Sequence, residues 1–283
     1  MIISIASGKG GTGKTTVATN LALSLKGDVN LLDCDVEEPN AHLFVKPTID
    51  KVEPVSTFVP EIDSSKCNLC RKCTDICRFS ALAIAGKAVL VFPEMCHSCE
   101  GCIEVCPEGA ISASLRELGV LESGHCGDLG FYAGRLRVGE AMSPPLIKKV
   151  RSKERERAIT IIDAPPGTSC PVIAAMKNSD FVLLVTEPTP FGLHDLKLAV
   201  EAVKVLGMPS GLVINRADMG DDGVKEYAKQ ESIPVLLEIP FERQIAEAYS
   251  RGVPMVEAFP TWAVKFRVLY ENIEKHSLAQ KES

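Results

Sequence analysis

The first residues of the chain contain a glycine-rich segment whose spacing suits the binding of phosphate groups. Gly8, Gly13, Lys14 and Thr15 occupy the fixed positions of the pattern G-x-x-x-x-G-K-[ST]. In this pattern, loop N–H groups and the positive end of the following helix surround the phosphates. Lys14 can reach the β- and γ-phosphates, and the Thr15 hydroxyl can ligate Mg²⁺. The predicted phosphate-binding residues are Gly8, Lys9, Gly10, Gly11, Thr12, Gly13, Lys14, Thr15 and Thr16.

Cysteines form the second pattern with recognisable chemistry. Eight of the 11 cysteines lie between Cys67 and Cys106, in two runs spaced C-x2-C-x2-C-x3-C. This spacing is typical of bacterial ferredoxins with two [4Fe–4S] clusters, in which the fourth cysteine of each run binds the other cluster. The predicted ligand sets are Cys67, Cys70, Cys73 and Cys106 for the first cluster, and Cys96, Cys99, Cys102 and Cys77 for the second.

Paired zinc sites are the alternative interpretation of the same cysteines. Zinc ribbons and fingers separate two C-x2–4-C pairs widely, whereas here the first three cysteines of each run are close together. Between the runs, apolar segments at residues 81–84 and 88–91 flank a Gly86-Lys87 turn and predict a small hairpin. The spacing therefore favours iron–sulfur clusters over zinc.

Four predicted buried strands end at polar residues or at a proline. Asp33 and Asp35 follow one apolar run, Asp163 follows a second, and Asn215 and Pro240 follow two more. In open parallel sheets, ligands bind at the carboxyl ends of the strands. Asp33 and Asp35 are therefore expected to lie at the ligand-binding edge of the sheet.

Composition limits the class of protein. The chain has 283 residues with 46% hydrophobic and 24% charged side chains, which suits a globular fold. The net charge of −6 gives no reason to expect nucleic acid as a partner. No apolar run approaches the ~20 residues of a transmembrane helix, and the first strand starts at Ile2, so we expect a cytoplasmic protein without a signal peptide.

Apolar strands alternate with helical segments along the chain, which predicts right-handed crossovers between parallel strands. The expected fold class is therefore α/β, with a mostly parallel sheet and helices on both of its faces. Residues 1–59 and 111–283 are expected to form this domain, with residues 60–110 as an inserted α+β domain of bacterial ferredoxin type. Near the end of the chain, an apolar stripe at helical spacing is expected to pack against the sheet, although a membrane-binding helix is the alternative. The stripe consists of Trp262, Phe266, Leu269 and Ile273.

The segment Gly8-Lys9-Gly10-Gly11-Thr12-Gly13-Lys14-Thr15 resembles the deviant Walker A box of the MinD/ParA superfamily of P-loop ATPases, which includes the nitrogenase iron protein and Mrp-type ATPases. The resemblance implies that the early lysine, Lys9, contacts nucleotide phosphate across a homodimer formed on ATP binding. It also implies that Asp35 orients the attacking water, and that Asp33 and Asp163 belong to the Mg²⁺ site. Asn215 and the loop that begins at Pro240 would contact adenine.

The resemblance leaves three functions open. The ATP-driven dimer cycle would gate electron transfer from the clusters to an unidentified redox or iron–sulfur partner. Alternatively, the chain is a MinD-like positioning ATPase with structural or sensory clusters, or a carrier that assembles and transfers clusters. The nitrogenase iron protein also places two cluster cysteines per subunit at a dimer interface. Cys126 and Cys170 are therefore hypothesised to hold a third, bridging cluster.

Overall fold

The structure is a computed structural model that describes residues 1–155 and 158–281. Its strands are β1 (Ile2–Ala6), β2 (Val29–Asp33), β3 (Thr48–Ile62), β4 (Leu82–Ala85), β5 (Ala88–Val91), β6 (Ile111–Cys126), β7 (Leu129–Leu136), β8 (Ile159–Asp163), β9 (Phe181–Thr186), β10 (Ser210–Asn215) and β11 (Val235–Ile239). Within the described ranges, nine of them form one sheet in the order β11-β10-β9-β1-β8-β2-β7-β6-β3. The strands β4 and β5 form a separate hairpin, as the turn at Gly86 predicts.

Seven adjacent strands of the described sheet, from β11 to β7, run parallel. Their sequences are almost continuously apolar because a parallel sheet is covered on both faces. The strands β6 and β3 extend the sheet in antiparallel orientation. The prediction of a mostly parallel α/β sheet is therefore confirmed.

The described helices are α1 (Lys14–Ser24), α2 (His42–Val45), α3 (Lys72–Ile76), α4 (Gly101–Glu104), α5 (Pro144–Arg151), α6 (Cys170–Met176), α7 (Pro190–Val205), α8 (Gly223–Gln230), α9 (Arg243–Ser250), α10 (Met255–Ala258) and α11 (Pro260–Lys281). One face of the sheet packs in a common core with α1, α10 and α11. The other face packs with α5, α6, α7 and α8. Helices therefore cover both faces, as expected.

The C-terminal apolar stripe packs inside the protein. All four residues of the stripe are buried in the core that α11 shares with α1 and the sheet. This confirms that the stripe covers the sheet. None of the helices in the described part of the chain combines the length and the apolar content needed to cross a membrane.

A long two-stranded ribbon was not predicted. The strand β3 pairs with β6 from Thr48 to Ile62, but β6 pairs with β7 only from Gly119 onward. The far halves of β3 and β6 therefore pair only with each other and extend away from the parallel strands. Pro54 and Pro60 obscure β3 in the sequence, since proline cannot donate to the ladder and is tolerated mainly on edge strands such as this one.

Residues 63–110 cap the far end of the ribbon. The N–H of Asp63 donates to the carbonyl of Ala110 at 2.8 Å, which closes the segment on itself. It contains α3, α4 and the β4–β5 hairpin, and we call it the cysteine module. The predicted boundary at residue 60 falls inside β3, because the strand continues to Ile62.

Candidate functional site

The phosphate loop runs from Ser7 to Gly13, between β1 and α1. Gly11 and Gly13 have φ values of 78° and 97°, which favour glycine. A Cβ on Gly13 would also lie 2.5 Å from Nδ2 of Asn215. The sequence pattern therefore folds into the strand–loop–helix arrangement that presents backbone N–H groups to an anion.

Lys14 is buried at the start of α1. Burial lowers the pKa of its ammonium group, whereas the negative charges of Asp163 and Asp35 oppose this shift. The structure thus brings together a lysine and two carboxylates that are far apart in the sequence. The ammonium group of Lys14 can neutralise the charge that develops on a transferring phosphoryl group, and the carboxylates can act on a metal ion or on water.

Asp163 lies at the end of β8 with a fully buried side chain. Neither carboxylate oxygen has a partner in regular hydrogen-bond geometry among the described residues, although the Thr15 hydroxyl is close by. Burial raises the pKa of this carboxyl to about 7, while the nearby Thr15 hydroxyl and Lys14 ammonium act in the opposite direction. A buried carboxylate without donors, beside a hydroxyl, fits a hard divalent cation such as Mg²⁺, which takes oxygen ligands.

Asp33 holds the loop that follows β2. Its carboxylate accepts the backbone N–H groups of Asp35, Asn40 and Ala41 at 3.2, 3.1 and 3.0 Å. Burial, followed by the charge of Asp163, raises the pKa of this carboxyl well above its usual value, and the N–H from Ala41 opposes the shift. The sequence placed Asp33 near the metal but did not indicate that it organises this loop.

Asp35 lies on that loop and faces Lys14. Burial raises the pKa of Asp35 to about 6, the charge of Lys14 lowers it, and Glu37 and Glu38 raise it further. Lys9 lies partly exposed on the phosphate loop, and its carbonyl accepts a hydrogen bond from the Ser7 hydroxyl at 2.5 Å. Lys9 therefore stands on the phosphate loop, and Asp35 stands on the loop after β2, close enough to Lys14 for their charges to interact.

Ser7 and Gly167 link the phosphate loop to the loop after β8. The carbonyl of Ser7 accepts the Gly167 N–H at 3.0 Å. Sequence reasoning missed Ser7, whose one signal is its position between the first strand and the first glycine of the motif.

Asn215 joins the phosphate loop to the end of β10. Its side-chain Nδ2 donates to the carbonyl of Thr12 at 2.9 Å, and its Oδ1 accepts the N–H of Arg216 at 3.0 Å. Asn215 pairs with Ile239 of β11, so Pro240 follows directly at the same edge of the sheet. The two residues expected to contact a base are therefore neighbours beside the phosphate loop.

The cysteine module contains two cavities, each lined by four cysteines. The first cavity is lined by Cys67, Cys70, Cys73 and Cys106. The second cavity is lined by Cys77, Cys96, Cys99 and Cys102. The grouping matches the two crossed ligand sets that the spacing predicts.

Backbone N–H groups point at several of these sulfurs. Ala81, Ser98 and Ala110 donate to the Sγ atoms of Cys77, Cys96 and Cys106 at 3.3, 3.4 and 3.3 Å. Such hydrogen bonds favour thiolates, the form in which cysteine binds metal. Burial meanwhile raises the pKa of Cys73, and that of Cys102 to about 11, so these thiols need a bound metal to ionise at neutral pH.

Each cavity supplies four cysteine sulfurs, the number of ligands that one [4Fe–4S] cluster takes. Among the described residues, no group of three or more His, Cys, Asp or Glu residues is close enough to hold a single metal ion. In an iron–sulfur cluster each thiolate binds a different iron atom, which requires wider separation of the sulfurs. Four sulfurs around a cavity fit this requirement.

Cys126 and Cys170 are not brought together. Cys126 pairs with Leu129, which lies beside Val29 at the edge where β2 begins. Cys170 follows Asp163, at the edge where β2 and β8 end. Five-residue strands separate these edges by roughly 15 Å. The hypothesis of a third cluster held by both cysteines is therefore wrong.

The chain matches a known family of nucleotide-binding domains and resembles several proteins that share it. A family model described as the CobQ/CobB/MinD/ParA nucleotide binding domain matches residues 3–255. Uncharacterised protein MJ0579 of Methanocaldococcus jannaschii is 30% identical over 259 residues, which cover 89% of this chain and 90% of the relative. An iron–sulfur cluster carrier protein of Pyrococcus horikoshii is 25% identical, with 93% of this chain and 81% of the relative covered.

Solved structures agree on the fold. The septum site-determining protein MinD of Pyrococcus horikoshii, in complex with Mg-ADP, superposes with a TM-score of 0.61 at 22% identity, covering 99% of this chain and 98% of MinD. The family match covers most of the chain, and the phosphate loop, Lys14 and Asp163 have the arrangement that such a domain requires. The chain therefore belongs to the CobQ/CobB/MinD/ParA nucleotide binding domain family and is a P-loop ATPase.

Proposed function

We propose that this ATPase carries two [4Fe–4S] clusters and couples an ATP-driven dimer cycle to electron transfer to a partner protein. The observation that carries the proposal is the pair of cavities in the cysteine module, each lined by one complete predicted set of four cysteines. The ribbon that bears this module is continuous with the sheet that forms the nucleotide site.

The nucleotide half of the proposal assigns a task to each site residue. Lys14 and the loop N–H groups hold the phosphates, Thr15 and Asp163 hold Mg²⁺, and Asp35 orients the attacking water. When bound, Mg²⁺ neutralises charge on the β- and γ-phosphates. Lys9 of each subunit contacts the nucleotide of the other in the dimer.

Two further residues complete the nucleotide site. Asn215 and Pro240 contact the adenine base. Asp33 contributes to the Mg²⁺ site by fixing the loop that carries Asp35, because backbone N–H groups occupy its carboxylate oxygens. This division of tasks leaves the donor-free carboxylate of Asp163 to face the metal.

The cysteine half assigns one cluster to each cavity. When bound, a [4Fe–4S] cluster accepts and releases a single electron at a potential set by charge, hydrogen bonds and exposure. Cys70 and Cys99 are exposed, which brings one edge of each cavity close to the surface, where a partner can dock. Cys73, Cys96 and Cys102 are buried and limit access of water.

Coupling between the halves follows from the order of elements. The loop held by Asp33 leads through α2 into β3, and β3 leads to the cysteine module. A bound γ-phosphate would hold the loop in one position, and hydrolysis would release it. The position of the loop that leads into β3 would therefore depend on the nucleotide. The partner would then receive electrons in one nucleotide state in preference to the other.

The test is a redox titration of the anaerobically purified protein with ADP and with a non-hydrolysable ATP analogue. We expect about eight iron and eight sulfide per chain and at least one potential that differs between nucleotides. Zinc in place of iron, or no binding of adenine nucleotide, would overturn the proposal as a whole. Potentials indifferent to nucleotide would overturn the coupling alone.

A cluster carrier is the second candidate, favoured by the names of relatives in Pyrococcus and in Aquifex aeolicus. A carrier must release its cluster, whereas each cavity here draws all four cysteines from one chain. Incubation with an apo-ferredoxin distinguishes the two functions. Transfer of iron and sulfide to the acceptor would support the carrier, and retention of the clusters would support electron transfer.

A further inference from the structure

The two cysteine runs fold alike but differ at one position. Leu69 in the first run and Ser98 in the second both stand just before the second cysteine, and both have positive φ, 59° and 56°. The residues that follow this cysteine, Arg71 and Glu100, also have positive φ, 70° and 59°. The φ angles therefore match at these two positions of the runs, whereas the side chains before the second cysteine differ.

The hydroxyl of Ser98 forms hydrogen bonds with the ribbon. Its Oγ donates to the carbonyl of Phe58 at 2.7 Å and lies 2.6 Å from Oγ1 of Thr57. A hydroxyl has one proton, and the carbonyl can only accept. Ser98 therefore donates to Phe58 and accepts from Thr57. The hydrocarbon side chain of Leu69 cannot make either bond.

Ser98 also contacts a cluster cysteine. Its backbone N–H donates to Sγ of Cys96 at 3.4 Å, and this cysteine is buried. One residue thus connects two adjacent residues of β3 to a sulfur that lines the second cavity.

The second cavity lies nearer the parallel sheet than the first. Phe58 and Pro60 line the second cavity, and Ile62 and Ile111, at the tip of the ribbon, line the first. From Phe58 to Ile62 the strand advances roughly 13 Å. The cavity that Ser98 fastens to the ribbon is therefore the one closer to the nucleotide site.

We infer that Ser98 is the positioning residue through which the ribbon holds Cys96 and sets the reduction potential of the second cluster. The inference rests on the proposed function, because it requires clusters in both cavities. Reduction adds negative charge to a cluster, and an N–H directed at a ligand sulfur stabilises that charge. The Ser98 hydroxyl bonds keep this N–H in place and so raise the potential of the second cluster.

The experiment is a redox titration followed by electron paramagnetic resonance on the full chain, in wild type, Ser98→Ala and Leu69→Ala. Alanine pays the same conformational free energy for positive φ at either position, so Leu69→Ala is the matched control. In Ser98→Ala we expect one cluster to shift toward the oxidised form, with its reduction equilibrium constant at least threefold lower. The first cluster of Ser98→Ala and the second cluster of Leu69→Ala should titrate as in wild type, because Leu69 lines only the first cavity.

Thr57→Val provides a second variant if Ser98→Ala loses iron. It removes the hydroxyl that donates to Ser98 and keeps the Ser98–Phe58 bond, so we expect a smaller shift of the same cluster in the same direction. Superimposable titrations of wild type and Ser98→Ala, or equal shifts of the second cluster in Ser98→Ala and Leu69→Ala, would overturn the inference. Wild-type protein without an iron–sulfur signal would instead overturn the proposed function, and the inference with it.

Discussion

The nucleotide site and the cysteine module position their chemical groups by different means. At the nucleotide site, Lys14, Asp33 and Asp163 are buried at the edge of a sheet that has an extensive apolar core on each face. In the cysteine module, the buried residues form two small clusters, and these include the predicted ligands Cys73, Cys96 and Cys102.

The two sites therefore differ in the source of their stability. The parallel sheet places the charged groups of the nucleotide site whether or not a ligand is bound, since its cores consist of aliphatic and aromatic side chains. A module of about 50 residues has too little core to fold securely alone, and the proposed clusters would supply the missing free energy. The nucleotide site is therefore expected to be preformed, and the cysteine module to depend on its clusters.

Removal of the clusters tests this contrast with the largest expected effect. Chelation of the iron should abolish protection from hydrogen exchange across residues 63–110, because the buried cysteines lose the partners that hold them. Protection of β1 and α1, and the affinity for ATP, should be retained. Hydrogen exchange with mass spectrometry measures both regions in one sample, and a module that stays protected without iron would contradict the contrast.

A substitution in the apolar core should destabilise the nucleotide domain rather than the cysteine module. Phe266 is fully buried on α11, so Phe266→Ala should lower the free energy of unfolding of the nucleotide domain by about 3–5 kcal/mol. Val264, half exposed on the same helix, provides the control, and Val264→Ala should cost within about 0.5 kcal/mol. Denaturant unfolding monitored by far-ultraviolet circular dichroism measures both values, and equal costs would show that α11 does not stabilise the sheet.

Loss of the phosphate-binding lysine should remove activity and leave the module intact. Lys14→Met removes the positive charge aimed at the phosphates and should reduce ATP hydrolysis by on the order of 10²–10³-fold. Iron content and the visible spectrum should not change. Lys26→Met, an exposed lysine beyond the end of α1, is the control and should keep wild-type activity. ATPase activity that survives in Lys14→Met would place the catalytic charge elsewhere.

The smallest expected effect is a difference in stability between substitutions of two glycines in the phosphate loop. Both have positive φ, but a Cβ on Gly11 meets nothing within 4 Å, and one on Gly13 meets the amide of Asn215. Gly11→Ala should cost about 1 kcal/mol of stability from backbone strain. Gly13→Ala should cost about 1 kcal/mol more, because Asn215 must give up its bond to Thr12. Thermal unfolding without nucleotide measures the difference, and equal costs would show that Asn215 moves freely.

The part of the site that could be predicted lies within short motifs. The phosphate loop occupies consecutive residues, and the spacing of the cysteines alone indicated the two crossed sets that line the cavities. The strands β1, β2 and β8 could be predicted as well, since a strand buried on both faces must be apolar throughout. In contrast, β3 was missed because its prolines and charged residues suit an edge strand that faces solvent.

The sequence by itself determined which chemical groups this protein has and which of them act together over short spacing. Only the tertiary structure decided that Asp163 faces Lys14, that Asn215 holds Thr12, and that Cys126 is remote from Cys170. Covalent geometry dictates the spacing within a loop of a few residues, whatever the rest of the chain does. Contacts across more than a hundred residues depend instead on the order and register of strands, which the burial of both faces of the sheet selects.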